Sequence, residues 1–161
     1  MSAFKKAVYT AKVALPMAGK VLNQAITANG MVYCSGQVAM DASGKIIEGD
    51  VKAHTKQILD NLSAVLEAAG TSMENVVKCN IYIADVKDFA AVNEVYAKYF
   101  GDVKPARTYV ICAMVTHMGA DDQQAVFKRH HLCPFPSRLN ALQSYRQLHF
   151  DQACITKQLT G

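Results

Sequence analysis

The apolar positions of this chain change period from one segment to the next, and each change marks an element. Ile58, Leu62, Val65, Leu66 and Ala69 recur at intervals of three and four, the spacing that lines up side chains on one stripe of an α-helix. Asp50 precedes that stripe and Gly70 follows it, which places an N-cap and a C′ glycine at its two ends. Val77, Cys79, Ile81 and Ile83 then alternate with Lys78, Asn80 and Tyr82, the period of a strand with one buried face. Asp85 and Asp88 offer caps to a second helix that carries Phe89, Val92, Tyr96 and Phe100 on one stripe and ends at Gly101. Pro105 cannot continue a helix, so the run from Arg107 to Met114 reads as a further strand. Upstream, Met31-Val-Tyr-Cys-Ser-Gly-Gln37 is a β-branched and aromatic run closing on Gly36, and Asp41-Ala-Ser-Gly44 after it has turn chemistry. Strands, helix, strand, helix, strand in that order predict an α+β fold, a sheet with two helices on one face.

Beyond about Asp121 the pattern decays. A last strand is expected only over the short Gln124-Ala-Val-Phe127, KRHHLCPFPS is a basic link rich in breakers, and Ser137 could cap a marginal helix through Leu139, Leu142, Tyr145 and Leu148. Charge divides the chain at the same place. Residues 1–126 hold twelve Lys plus Arg and twelve Asp plus Glu, whereas residues 127–161 hold Lys128, Arg129, Arg138, Arg146 and Lys157 against Asp151 alone. The whole formal charge of +4 therefore sits in the tail, which sets a body of 1–126 apart from a basic extension of 127–161.

Apolar runs such as Val76–Val77 and Val110–Met114 are far shorter than the ~20 residues that cross a bilayer, so no membrane role is expected. Five cysteines, odd in number and without a CxxC, fit free thiols in a reducing compartment, the cytosol, the nucleus or the mitochondrial matrix. Residues 1–40 lack Asp and Glu and carry Lys5, Lys6, Lys12 and Lys20. A transit peptide would also call for Arg and Ser, and the segment is read as an ordinary first strand.

No Walker loop, GxGxxG or HExxH is present, which removes the footing for nucleotide, dinucleotide and zincin readings. Cys112, His117, His130, His131 and Cys133 match no usual zinc spacing, and no metal is expected. Ser35 is not in a GxSxG elbow and reads, on pattern alone, as a strand-end serine. Tyr96, Tyr99, Phe100 and Met31, Met40, Met73 and Met114 read as core, and His54 as a solvated helix residue. Arg107 is the residue that asks for an explanation. It stands at the mouth of an apolar run, where a guanidinium is costly unless it faces water or an anion.

Ser35-Gly-Gln37, Val65-Leu-Glu-Ala-Ala-Gly70, Val76 to Asp85, Phe89 to Phe100 and Lys104-Pro-Ala-Arg-Thr108 occur in the order and spacing of the RidA family, also called YjgF or L-PSP. From about residue 20 to residue 110 the chain resembles that family without a break. The resemblance implies a chorismate-mutase-like α+β protomer, a mixed sheet with two helices on one face, assembled as a homotrimer with sites between subunits. It implies hydrolysis of reactive enamine and imine acids, such as 2-aminoacrylate, to 2-keto acids and ammonia, with no cofactor. Arg107 would clamp the substrate carboxylate as a bidentate fork. Ser35, Gly36 and Asn93 would line the cleft, and the backbone at Tyr109 would hold the imine nitrogen or the attacking water.

The sequence departs from the family's pattern at three places. Leu22 stands where a cleft-facing tyrosine is usual. Tyr109 stands where a cysteine is common, and its ring is bulky enough to crowd the pocket. No glutamate occurs in Gly119–Val126, where the family carries the one that handles the hydrolytic water, so a weakened or absent hydrolytic step is expected. The tail after that region resembles nothing in the family, and it reads either as an altered reading frame or unspliced segment or as a lineage-specific partner-binding extension. Two further functions stand beside the deaminase: a non-catalytic trimer that binds small carboxylates or proteins, of chaperone-like or translation-inhibitor type, and an RNA-acting relative. Against nucleic acid, the body is charge-balanced and shows no basic face interleaved with aromatics.

Overall fold

The computed structural model of the protein describes residues 4–14, 21–111 and 149–151. Asp50 starts the long helix α1 (Val51–Ala68), its carboxylate accepting the Ala53 N–H at 2.8 Å and so satisfying one donor that the first turn leaves unpaired. At the far end Gly70 adopts φ 82°, the left-handed conformation that glycine takes without strain. Its N–H reaches the Glu67 carbonyl while the Thr71 N–H reaches that of Leu66, both at 3.0 Å, a paired closure of the helix end. Ile58, Leu62, Val65 and Leu66 of the predicted stripe are at most 1% exposed, Leu59 is buried beside them, and Ala69, the last predicted member, is the half-buried C-cap just past the helix.

The strands are β1 (Lys6–Val8), β2 (Ala25–Ala28), β3 (Met31–Cys34), β4 (Gln37–Val38), β5 (Lys78–Ile83), β6 (Ala106–Ile111) and β7 (His149–Asp151). β1, β2 and β3 make an antiparallel sheet in that order. Asn29 and Gly30 join β2 to β3 with φ 53° and 72°, the tight reversal that a two-residue hairpin prefers. After β3 the chain bends at Ser35–Gly36 and enters a second sheet ordered β4-β7-β5-β6. There β5 and β6 run parallel and β7 is antiparallel to both of its neighbours. The expected α+β architecture is present, with the strands divided over two hydrogen-bonded sheets. Cys79, Ile81 and Ile83, fully buried, turn the face of β5 into the same core as α1.

Several expectations shift by a residue or a turn. Val77 is 52% exposed and precedes β5 instead of opening its buried face. The second helix, α2 (Phe89–Tyr96), stops a turn before Gly101, and Lys104 donates to the carbonyls of Ala97, Phe100 and Gly101 just beyond it. Asp85 caps a short 3-10 turn at Val86–Asp88 by accepting the Lys87 N–H, while Asp88 is buried at the N-cap position of α2 without capping it. Phe89, assigned to the core stripe with Val92, Tyr96 and Phe100, is instead 42% exposed. It is the first residue of α2 and projects past the end of the stripe. His54 is half-buried, its Nε2 3.0 Å from the Ile47 carbonyl, and not a solvated helix residue. Of the methionines, Met73 is buried and Met31 and Met40 are half-buried.

No strand is predicted by sequence pattern where β7 lies. The short strand expected at 124–127, the helix expected from Ser137, the histidine and cysteine group from Cys112 to Cys133, and Met114 all fall outside the described residues.

Candidate functional site

Arg107 lies on β6 directly beside Cys79 of β5, and Tyr109 lies beside Ile81. Register partners in a sheet share a face, so both side chains rise on the side where Cys79 and Ile81 are buried. Because β6 is hydrogen-bonded on one edge only among the described residues, Arg107 comes up beside α2 and remains exposed. The helix meets it with three groups. The Asn93 side-chain oxygen accepts a hydrogen bond from Arg107 Nη1 at 2.6 Å. The rings of Tyr96 and Phe89 stand 4.9 and 5.9 Å from the guanidinium carbon, and the ring of Tyr109, two residues along β6, stands 5.1 Å from it. All three distances lie within the ~6 Å over which a ring face attracts a cation.

The sequence places Asn93 in the cleft as a substrate contact, and the structure gives it a prior partner. Asn93 is the acceptor that fixes the guanidinium. A guanidinium carries five N–H donors, so the bond to Asn93 leaves the outward edge of Arg107 with donors to spare. Among the described residues no carboxylate lies within ion-pair distance of Arg107. Among the described residues the result is a cation held in place by an amide and three rings, with no carboxylate counter-ion.

Tyr109 is half-buried, and its hydroxyl is buried without a hydrogen-bond partner among the described residues. Burial pushes its pKa up to about 12, the charge of Arg107 opposing the shift. Its ring packs on Phe89 with centroids 4.7 Å apart and planes at 59°, a tilted contact favoured by ring quadrupoles. Cys79, beneath the same cluster, is also held neutral: burial pushes its thiol up to about 11, against the opposing influence of the Tyr96 hydroxyl and of Arg107. A thiol so placed is a packing residue at neutral pH and not a nucleophile.

Ser35, Gly36 and Leu22 form a second locus. Ser35 donates its N–H to the Gln24 carbonyl at 2.9 Å and its hydroxyl to the Asn23 carbonyl at 2.5 Å. Gln24, 1% exposed, is itself bonded through its side chain to Thr10 and Val13. These bonds tie the locus together, and half-buried Leu22 and Gly36 border it. Among the described residues no hydrogen bond or ring contact joins it to Arg107. The sheet order interposes β7 and β5 between β4 and β6, three inter-strand steps of ~4.8 Å, or about 14 Å. Sequence reasoning put the Tyr109 ring at the pocket but missed those of Tyr96 and Phe89, which lie on another element and carry only a helix-stripe signal.

Known proteins bear on this arrangement. Residues 13–121 match the family described as Endoribonuclease L-PSP. A RutC family protein of Pyrococcus horikoshii is 48% identical over 89 residues, 55% of this chain and 71% of that protein. The mitochondrial protein mmf1 of Schizosaccharomyces pombe is 56% identical over 88 residues, but the match spans only 54% of its length. A 2-iminobutanoate/2-iminopropanoate deaminase of Bos taurus is 41% identical over 115 residues, 70% of this chain and 82% of that one. Among solved structures, RidA from the Antarctic bacterium Psychrobacter sp. PAMC 21119 superposes with a TM-score of 0.68 at 26% identity, covering 94% of this chain and 98% of that one. Yeast Mmf1 superposes with a TM-score of 0.70 at 25% identity, covering 96% and 99%. The chain belongs to the endoribonuclease L-PSP family, the family also called RidA or YjgF.

Proposed function

We propose that this protein hydrolyses small 2-imino and enamine acids to 2-oxo acids and ammonia, and that Arg107 holds the substrate carboxylate. The observation that carries the reading is the state of that guanidinium: fixed by Asn93 and three rings, exposed, and without a carboxylate partner among the described residues. A planar fork with free parallel donors suits a carboxylate. The deaminase name of the bovine relative supplies the substrate class.

In the proposed reaction the enamine first tautomerises to the imine, and protonation of its nitrogen makes C2 electrophilic. Water adds at C2, a proton passes from that oxygen to nitrogen, and the C–N bond breaks to release ammonia and leave a keto group. Such an electrophile needs orientation more than a strong nucleophile. Arg107 supplies the orientation, and the main chain of β6 at Tyr109 would bond the nitrogen or the water. Within one chain β4, which follows Ser35 and Gly36, lies three strand spacings, about 14 Å, from β6, so the proposed working form is a homotrimer in which a neighbouring copy brings its own Ser35, Gly36 and Leu22 to Arg107.

One observation favours a second reading, carboxylate binding without turnover: no side-chain carboxylate of the described residues lies within ion-pair distance of Arg107 to act on water. A serine or threonine dehydratase generating enamine acid in the presence of the protein distinguishes the two. Accelerated 2-oxo acid release that falls at least about tenfold in Arg107→Lys, the size of one charge-assisted hydrogen bond, supports the deaminase. Release no faster than in buffer, with retained binding of a 2-oxo acid, supports the binder and refutes the deaminase.

A further inference from the structure

We infer that Gln24 is a positioning residue of this centre: its side-chain amide takes the place of a strand where β1 leaves the sheet, and so holds the backbone that carries Ser35. The inference rests on the proposed role of the Ser35 locus as half of the centre, and it adds a residue that touches no substrate.

The β1–β2 ladder ends at Val8 opposite Ala25. One step further its register would set Tyr9 opposite Gln24, but β1 stops at Val8 and the chain turns away over residues 11–13. The Gln24 side chain fills the gap. Its oxygen accepts the Thr10 N–H at 2.7 Å, and its nitrogen donates to the Thr10 carbonyl at 3.1 Å and to the Val13 carbonyl at 2.8 Å. One carboxamide thus meets both the N–H and the C=O of Thr10, as a peptide unit of a neighbouring strand would. With Gln24 only 1% exposed, an apolar side chain of the same size would strip the Thr10 N–H and the Val13 carbonyl of these partners at the cost of unsatisfied backbone groups.

The other edge of the same backbone carries the site. There the β2–β3 ladder runs one step past Ala25 and Cys34, the Ser35 N–H donating to the Gln24 carbonyl at 2.9 Å. The Ser35 hydroxyl donates to the carbonyl of Asn23 at 2.5 Å. Both donors of Ser35 therefore rest on residues 23 and 24, and the side chain of residue 24 ties those residues to the arm at 10–14. A buried glutamine bonded within one element would be only a satisfied core group. Gln24 bridges two, and without its side-chain bonds residues 22–24 become the fraying end of a strand, taking Ser35 with them.

Amide exchange on the native chain tests the coupling. The Thr10 and Ser35 N–H groups are expected to open as one unit, with the same free energy and denaturant dependence, and more readily than Ile58–Leu66 in α1. Opening of the two at different free energies, or only together with α1, overturns the inference. Gln24→Met keeps the volume and removes the bonds. Both amides are then expected to exchange at least about fivefold faster, the size of one ordinary hydrogen bond, and calorimetric affinity for 2-oxobutanoate is expected to fall by a similar factor. A purely structural role would lower the denaturant midpoint and speed Thr10 alone. Native exchange at Ser35, or native affinity for 2-oxobutanoate, in Gln24→Met overturns the inference. If that variant does not fold, the native exchange comparison decides. Should the native protein bind no 2-oxo acid, the proposed reading of the centre fails, and exchange at Ser35 alone decides whether Gln24 positions it.

Discussion

An amide and a carboxylate would hold Arg107 equally well in geometry and very differently in charge. Asn93 accepts from Nη1 at 2.6 Å as a neutral oxygen, so the guanidinium is oriented while its positive charge stays available. An aspartate is nearly isosteric and would form an ion pair at the same place, competing with any incoming anion. Asn93→Asp is therefore expected to fold normally and to weaken binding of a 2-oxo acid about tenfold or more, the magnitude of one charge-assisted bond. Titration calorimetry with 2-oxobutanoate measures it, with Asn93→Ala as the comparison that loses orientation but not charge. Equal affinity in the native protein and Asn93→Asp would show that the ligand does not use this guanidinium. The rings act in parallel. At 4.9 to 5.9 Å they stabilise the cation without satisfying its donors.

At the scale of elements, the site is a contact between α2 and β6, and what joins the two is the loop carrying Lys104. Its ammonium donates to Phe100 at 2.6 Å, Gly101 at 2.8 Å and Ala97 at 3.1 Å. The Ala97 carbonyl, at the C-cap of α2, lies where carbonyls lack partners within the helix and carry partial negative charge, so the lysine both bonds and complements it, while its bonds to Phe100 and Gly101 tie down the turn that follows. Lys104→Met keeps the aliphatic stem and removes the donors. It is expected to lower stability by about 1 kcal/mol, seen as a lower denaturant midpoint at unchanged m-value, and to raise KM because Asn93 and Phe89 ride on the helix that has lost its anchor. An unchanged midpoint and KM would mean that α2 is seated by Val92, Tyr96 and Phe100 alone. Stability loss without a KM change would confine Lys104 to the fold.

At the scale of the whole molecule, what the sequence disclosed follows the length and locality of each element. The eighteen residues of α1 carry enough turns for their stripe to show, and β5 alternates cleanly because one of its faces is buried. Phe89 and Val77 were drawn into those patterns as first members, and periodicity by itself does not mark where packing stops. Arg107 stood out because a cation before an apolar run is costly, but Asn93 lies fourteen positions away, a distance at which a partner has no local signature. β7 is the extreme case: three residues in a basic tail whose pairing partners, Gln37–Val38 and Asn80–Tyr82, are both remote in sequence. Its place between β4 and β5 makes residues 149–151 part of the sheet and gives a direct test. In a chain ending at residue 148 the inner edges of β4 and β5 lose their partner, and unpaired backbone groups become open to water or to another chain. Amide exchange over Asn80–Tyr82 is expected to accelerate in the shortened chain while Ile58–Leu66 in α1 exchanges as before, and the shortened chain is expected to self-associate through the opened edges. Unchanged protection of Asn80–Tyr82 would show that β5 is held by β6 alone and that residues 149–151 contribute nothing to the sheet.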